Sequence, residues 1–380
     1  MANEIKKPKL LPPIYENWFA FLANKPSQSI YEYPLYSDSV ITGENTTDFG
    51  PYQFLNPVSP RSSKIRPILI LRVDSRLTYD FNRPFETNLG YYHGGDLIDE
   101  IAAFLSLLLG ARFKAGALMR EFRENGDRFG RPIQYIEKVI PNIFLEHNIY
   151  KLPSVRGIRE ITSLEPLKYI PNIPEENLIA LIRAARLYQD SLWIAESEPS
   201  LAWVMLVSAI EVVANQWKKE SELPEQLLQF SKPDLYKYLK ENVKEEEKIK
   251  QIAKLLVNIC GSTKKFVDFT LEFLPQPPPK RPPPFLRHSW ETVKMKDSLK
   301  KIYGHRSNAL HGGIPFPFSM CEAPYWSQGQ EAPAEIPMGL GTMCEGGSWR
   351  IEDTPFVLNT FEYIVRNCLL NWMKSIGTSK

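Results

Sequence analysis

Residues 295–313 read MKDSLKKIYGHRSNALHGG, and their spacing predicts an amphipathic α-helix. At about 100° per residue, one side of that helix carries the apolar residues Met295, Leu299, Ile302, Tyr303, Ala309 and Leu310. Arg306 falls in the middle of this stripe, four residues after Ile302 and four before Leu310. An arginine on the core side of a helix is costly unless it is paired or faces a cleft or a second subunit. The register of Arg306 therefore predicts one of these three environments.

His311 is expected where the same helix stops. Gly312 is a natural residue to follow a helix, and Pro315 cannot continue one. On an ideal helix His311 lies about 140° around the axis from Arg306, so the two side chains cannot converge while the helix continues. A histidine at the residue where the helix stops is free to turn toward Arg306. The carboxyl end of the helix dipole favours the imidazolium form of a histidine placed there.

A partner for Arg306 is predicted on an earlier helix, around residues 201–217. Its apolar stripe consists of Trp203, Leu206, Val207, Ile210, Val213, Ala214 and Trp217. Glu211 is the one acid in that run, and it lies on the flank of the stripe. A half-buried glutamate that faces a half-buried arginine holds the guanidinium in one rotamer.

The segment from Arg306 to His311 resembles the R-x4-6-H motif of HEPN domains (higher eukaryotes and prokaryotes nucleotide-binding), in the branch called ApeA-like. In that branch the motif runs into a glycine and ends a helix. The resemblance covers roughly residues 177–376 and includes the order of the helices. The family usually has Asn, Asp or His directly after the arginine, where this chain has Ser307 followed by Asn308, which we expect to support the site.

The resemblance implies a metal-independent endoribonuclease without a cofactor. It acts as a homodimer in which two motif helices line one cleft. The ribose 2′-OH attacks the adjacent phosphorus and leaves a 2′,3′-cyclic phosphate. His311 is then the general base or acid, and Arg306 stabilises the charge that develops on the phosphorane. DNA, which lacks the 2′-OH, is not cleaved.

A second interpretation is a non-catalytic HEPN-type module that binds a nucleotide or RNA, or that dimerises. Some HEPN domains bind without cleaving, and an arginine near a helix end often forms only a structural ion pair. The family also suggests a bacterial defence protein or a toxin, with an antitoxin or a defence-system component as partner. Cleavage of RNA by the purified protein distinguishes the two interpretations.

Any attraction of RNA must be local, because the formal net charge of the 380 residues is only +2. Between Lys280 and Arg306 eight basic residues face two acids, Glu291 and Asp297. We expect RNA contacts from Lys296, Lys300, Lys301 and His305, with His305 on the solvent side of the helix. A lysine-rich solvated helix face gives the same pattern.

The four cysteines and five histidines show no metal-ligand spacing, so no metal site is predicted. Four cysteines without a C-x-x-C spacing favour a protein with reduced thiols in the cytoplasm. Residues 1–13 lack the apolar core of a signal peptide, and the longest apolar run, Ile101–Ala111, is too short to span a bilayer. No membrane association is predicted.

The fold class predicted is α+β, a mixed N-terminal domain over residues 1–170 followed by an all-α HEPN-like bundle over 171–380. The apolar run 67–73 predicts a buried strand. Residues 97–109 predict a core helix with Asp96 as its N-cap. The proline-rich segment 169–174 marks the junction, before a helix that starts at Glu175.

Two unusual segments lie in the second region. Residues 275–284 are mostly proline and predict an extended spacer. A Pro/Gly-rich insertion at 313–353 separates the motif helix from a last helix over 355–373. Its aromatic residues are expected either to stack on unpaired bases or to pack over the helices as a lid; they are Phe316, Phe318, Tyr325 and Trp326.

Overall fold

The computed structural model describes residues 11–43, 49–56, 64–78, 90, 92–123, 127–133, 142–145, 149–217, 223–243, 245–338, 341–344 and 347–378. A mixed β-sheet region over about residues 13–172 is followed by a helical region over 175–377. The predicted α+β fold class is confirmed. The residue-to-residue contacts divide the protein into two compact units. The first consists of residues 1–143, 154–189 and 373–380, and the second of residues 144–153 and 190–372.

The first unit is built on an antiparallel sheet. Its strands are β1 (Ser29–Ser37), β2 (Val40–Thr42), β3 (Tyr52–Leu55), β4 (Arg66–Ser75), β5 (Lys114–Ala115), β6 (Arg120–Phe122), β7 (Arg131–Pro132) and β8 (Ile158–Glu160). The main sheet has the order β3-β4-β1-β6-β7, with β5 also on β1, and β2 pairs with β8 in parallel. The strand predicted at 67–73 is confirmed as β4, where Leu69, Leu71 and Val73 are buried on one face.

Two helices that lie wholly within this unit are α1 (Pro13–Leu22) and α2 (Leu97–Leu109). The predicted N-cap is confirmed, since Asp96 Oδ1 accepts a 3.2 Å hydrogen bond from the Asp99 amide. Gly110 ends α2 in the left-handed conformation at φ 58°. The helix is almost entirely buried, as its apolar sequence indicates. Its buried Glu100 accepts a 2.7 Å hydrogen bond from the Ile14 amide.

The later α-helices of the described chain are α3 (Glu175–Ile194), α4 (Pro199–Gln216), α5 (Pro224–Ser231), α6 (Pro233–Asn242), α7 (Glu246–Glu272), α8 (Thr292–Gly312), α9 (Phe318–Cys321) and α10 (Leu358–Gly377). Short 3₁₀ helices span Pro153–Val155, Ile161–Asn172, Pro284–Leu286 and Ile351–Asp353. The predicted motif helix is α8, and the helix expected at 201–217 is α4. The last helix begins at Leu358 and extends to Gly377, so it starts and ends later than the sequence predicts.

Helix α4 is long and apolar enough to cross a bilayer by length and composition alone. Its residues Trp203, Leu206 and Ile210 are completely buried in the helical unit. A helix that is apolar on most sides is typical of a protein core as well as of a membrane span. We therefore interpret α4 as the central core helix of this unit.

The insertion at 313–353 has structure of its own. It contains α9 and a hairpin of β9 (Gly341–Cys344) with β10 (Gly347–Arg350). Phe316 is buried and stacks on Trp203 of α4, with ring centroids 5.1 Å apart. Phe318, Tyr325 and Trp326 remain largely exposed. One of the four aromatic residues thus packs on the helices, and three face solvent.

Candidate functional site

The site is organised by the side of α8 that faces α4 and α7. Met295, Leu299 and Ile302 are completely buried on that side, as their spacing predicts. Arg306 lies in line with them, one turn further along, and its side chain is 18% exposed. The helix register therefore carries a guanidinium into the edge of the core.

Glu211 of α4 supplies the charge that Arg306 needs. Its Oε2 forms an ion pair with Arg306 Nη2, and the Glu211 side chain is only 14% exposed. Glu211 Oε1 accepts a 2.7 Å hydrogen bond from the hydroxyl of Tyr303. The Glu211–Arg306 pair predicted from the two helix registers is thus present, and Tyr303 is a third member that the sequence did not indicate.

The hydroxyl of Tyr303 stays protonated at neutral pH. Burial, together with the bond to the Glu211 carboxylate, raises the pKa of Tyr303 to about 12. The Arg306 guanidinium also lies over the Tyr303 ring, 5.7 Å from its centroid. These contacts fix the Nη2 end of the guanidinium, while the buried Arg306 Nε has no hydrogen-bond partner within the described part of the chain.

His311 is exposed near the end of α8. The sequence predicts that the helix stops at His311, but it continues to Gly312. Gly313 then adopts the left-handed conformation at φ 65°. His311 therefore keeps its helical position about 140° around the axis from Arg306. Within one chain the two side chains leave α8 on different sides.

The two residues expected to support the motif have different surroundings. Ser307 is half-buried, and Asn308 is exposed. The carbonyl of Asn308 accepts the capping hydrogen bond from the Gly313 amide and a second one of 3.2 Å from the Ile314 amide. Asn308 thus contributes its main chain to the end of the helix and leaves its amide side chain in solvent.

The apolar stripe of α8 runs out of the core at this end. Leu310, which the sequence places on the stripe, is 49% exposed. Ile314 and Phe318 beyond it are 58% and 48% exposed. Three large apolar side chains within seven residues of His311 in the chain are therefore exposed.

The solvent-facing position expected for His305 is wrong. His305 is half-buried, with its Nε2 2.8 Å from the Asp353 carbonyl oxygen and its ring 5.8 Å from Phe316. Burial lowers the pKa of His305. Lys301, one turn earlier, bonds the Glu352 carbonyl and lies 3.2 Å from the Asp353 carboxylate. Lys301 and His305, both predicted to contact RNA, thus bond residues 352 and 353 at the end of the insertion.

Lys296 and Lys300, the other two predicted RNA contacts, lie together on a different side of α8. Their Nζ atoms are 4.9 Å and 4.4 Å from the centroid of the Phe230 ring on α5. Neither side chain has an ion pair with any carboxylate that the structure describes. These two lysines are available to an anion.

A cavity of about 370 Å³ beside α8 was not predicted. It is lined by Lys301, by Ser298 and by His288, whose Nε2 lies 3.3 Å from the Ser298 hydroxyl. Burial lowers the pKa of His288 to about 4, so its ring is neutral at pH 7. Glu335 accepts bonds from the His288 main-chain amide and from Arg281. In a hydrolytic triad the carboxylate bonds the histidine ring and orients it. Glu335 bonds the main chain of His288 instead, so these residues do not form such a triad.

Among the described residues, no group of three or more His, Cys, Asp and Glu side chains is placed to hold a metal ion. Cys321 and Cys368 are buried free thiols. Comparison of the chain with models of protein families, with curated proteins and with solved structures finds no match.

Proposed function

We propose that the protein is a metal-independent endoribonuclease of the HEPN type that acts as a homodimer in the cytoplasm. One observation carries the proposal. A guanidinium is held at the edge of the core by Glu211 and Tyr303, five residues before an exposed histidine on the same helix. An arginine fixed in one rotamer and an exposed imidazole on the same helix suit the stabilisation and protonation of a reacting phosphodiester.

The reaction that fits these groups is an internal transesterification. The ribose 2′-oxygen bonds to the adjacent phosphorus, and the bond from phosphorus to the 5′-oxygen of the next nucleotide breaks. His311 takes the 2′-OH proton or delivers a proton to the leaving 5′-oxygen. Arg306 compensates the charge on the non-bridging oxygens. The products are a 2′,3′-cyclic phosphate and a 5′-hydroxyl.

A second copy of the chain completes the site. Arg306 and His311 leave one helix about 140° apart, so one phosphate is reached best by Arg306 of one chain and His311 of the other. Leu310, Ile314 and Phe318 are exposed, lie within seven residues of His311 in the chain, and give a second copy an apolar surface to cover. Burial of this surface would bring two α8 helices together at their carboxyl ends.

The decisive experiment is an RNA end analysis. Purified protein is incubated with a single-stranded RNA in the presence of EDTA, and the new ends are identified. We expect 2′,3′-cyclic phosphate and 5′-hydroxyl ends, and no cut at a position that carries a single 2′-deoxyribose. Arg306→Ala and His311→Ala should each reduce cleavage by about a hundredfold or more.

The matched control is Arg128→Ala, which removes an exposed arginine from the first unit and should cleave like the wild type. Circular dichroism establishes that each variant is folded. Cleavage that survives in both motif variants, or ends that carry a 5′-phosphate, contradicts the proposal.

The alternative is a non-catalytic module that binds a nucleotide or RNA, or that dimerises. The observation in its favour is that the Arg306 head group already has a carboxylate and an aromatic ring as partners. For such a module, Arg306→Ala would lower stability without changing any RNA. A defence or toxin role, with an antitoxin or another defence component as partner, stays a prediction.

A further inference from the structure

Three lysine side chains from two helices meet on one aromatic ring. The ring belongs to Phe230 of α5 and is half-buried. The Nζ atoms of Lys264 on α7 and of Lys296 and Lys300 on α8 lie 5.3 Å, 4.9 Å and 4.4 Å from its centroid. Attraction between the ammonium groups and the ring holds the three cations close together.

The positive charge of this group is only partly compensated. Asp268 forms an ion pair with Lys264 through a contact one turn along α7. Lys296 and Lys300 have no such carboxylate in the described chain, so no acid there balances their two ammonium groups. Like charges within one Debye length repel each other. A bound anion would relieve that repulsion.

The register of α8 connects this lysine cluster to the proposed site. At about 100° per residue, Lys296, Lys300, Ser307 and His311 fall within about 60° of one another around the helix. The rise of about 1.5 Å per residue places Lys300 about 16 Å from His311 along the axis. The lysines and the exposed histidine therefore lie along one side of the helix, beside its buried stripe.

Gly304 lies on the same side, between Lys300 and Ser307. It is exposed, and a Cβ atom built there would meet no atom within 4 Å. Glycine in the middle of a helix costs stability, and here no close packing requires it. The absence of a side chain leaves the main chain of α8 open to a ligand that passes from the lysines toward His311.

We propose that this side of α8 binds the backbone of single-stranded RNA, with a phosphate held by Lys264, Lys296 and Lys300 around Phe230 and the strand passing over Gly304 to His311. The inference deepens the proposed ribonuclease function and rests on it for the identity of the ligand. Phe230 acts by positioning the ammonium groups. The sequence predicts RNA contacts from Lys296 and Lys300. The structure adds Lys264 as a third cation and Phe230 as the ring that all three lysines share.

Binding is measured apart from cleavage with a fluorescent single-stranded DNA of twelve thymidines. This probe carries phosphodiesters but no 2′-OH, so the proposed reaction cannot consume it. Fluorescence anisotropy on the full chain gives the affinity over a range of salt concentrations. Lys296→Gln/Lys300→Gln should weaken binding about tenfold and reduce the slope of log K against log salt by about 0.7, the contribution of one phosphate contact on a single strand.

Phe230→Leu keeps all charges and should weaken binding about threefold, because the ammonium groups lose their common anchor. Gly304→Gln suits a helix and meets open space, and it should weaken binding about fivefold by obstructing the path. The matched control is Lys237→Gln/Lys248→Gln, which removes two exposed lysines of the same unit and should leave affinity within twofold.

Equal losses in the control pair and the Lys296/Lys300 pair would overturn the proposal, because net charge alone would then explain binding. Unchanged binding in Gly304→Gln would overturn the path to His311. Equal competition by polyglutamate would overturn the assignment to nucleic acid. A failure of the ribonuclease proposal is recognised separately, as full probe binding by a protein that cleaves no RNA.

Discussion

The hydroxyl of Tyr303 donates a 2.7 Å hydrogen bond to Oε1 of Glu211, the carboxylate whose other oxygen pairs with Arg306. Tyr303 and Arg306 are three residues apart on α8, so one side chain of α4 bonds two residues about one turn apart on the motif helix. Two contacts of this kind fix both the rotation of α8 and the rotamer of Arg306. Glu211 is therefore a positioning residue for the proposed site.

Removal of the Tyr303 hydroxyl should break the hydrogen bond to Glu211 without leaving a cavity in the core. We expect Tyr303→Phe to lower the free energy of unfolding by about 1.5 kcal/mol, the contribution of a hydrogen bond to a charged group. Urea denaturation measures the change. Tyr363→Phe, whose hydroxyl bonds the exposed Gln276 carbonyl, is the matched control and should change stability by less than about 0.5 kcal/mol.

Glu211→Gln keeps the shape of the side chain and removes its charge. The Arg306 guanidinium then stays partly buried without a counter-charge, and we expect a loss of about 2 kcal/mol, less than for a fully buried pair. RNA cleavage should fall as well, because the guanidinium is no longer held in one rotamer. Stability and activity that both equal the wild type would show that the pair positions nothing.

Leu310→Asp tests the second copy. A charge within the exposed apolar group of Leu310, Ile314 and Phe318 should prevent its burial between two chains. Sedimentation equilibrium should show a dimer for the wild type and a monomer for the variant, with cleavage lost in parallel. A monomeric variant that still cleaves would mean that one chain holds the complete site. Leu255→Asp, at an exposed leucine of α7, should leave the association state unchanged.

The first unit contains a buried ion pair whose loss should be severe. Arg112 is completely buried, and its Nη1 lies 2.9 Å from Oδ2 of Asp38, which is 4% exposed. Arg112→Met leaves the carboxylate without its main partner, and we expect a loss of about 3–5 kcal/mol in urea denaturation. The double variant Arg112→Met/Asp38→Asn removes both charges and should recover part of that loss. No recovery would mean that the packing of Arg112, not its charge, is what matters.

Acid should weaken the second unit through His288. Because burial lowers the pKa of His288 from 6.5 to about 4, the unfolded chain takes up this proton at a higher pH than the folded one. The contribution to stability is complete above pH 6.5 and is lost as the pH falls toward 4. Urea midpoints at pH 7, 6 and 5 should decrease, and His288→Gln should flatten the decrease. An identical pH profile in both proteins would contradict this assignment.

The Glu211–Arg306 pair could be predicted because each charge lies beside an apolar stripe, and the registers of two helices follow from local spacing. Tyr303 was missed as a partner of Glu211 because its ring belongs to the stripe, and sequence does not show where a hydroxyl points. His305 was misplaced for a different reason. The segment that covers it returns from residue 353, and helical periodicity carries no information about such distant contacts. The order of the sheet was likewise beyond prediction, since strand pairing depends on residues far apart in the chain.

The insertion is held at many points along its length. Its first part bonds α4 through Ser200 and Trp203, and its end bonds α8 through Lys301 and His305. A covalent connection across residues 327–330 is therefore not what keeps the two sides of the insertion in place. The chain should tolerate a break there and reassemble from two separately expressed fragments, which makes this loop the natural place to divide the protein into a split reporter of its own folding.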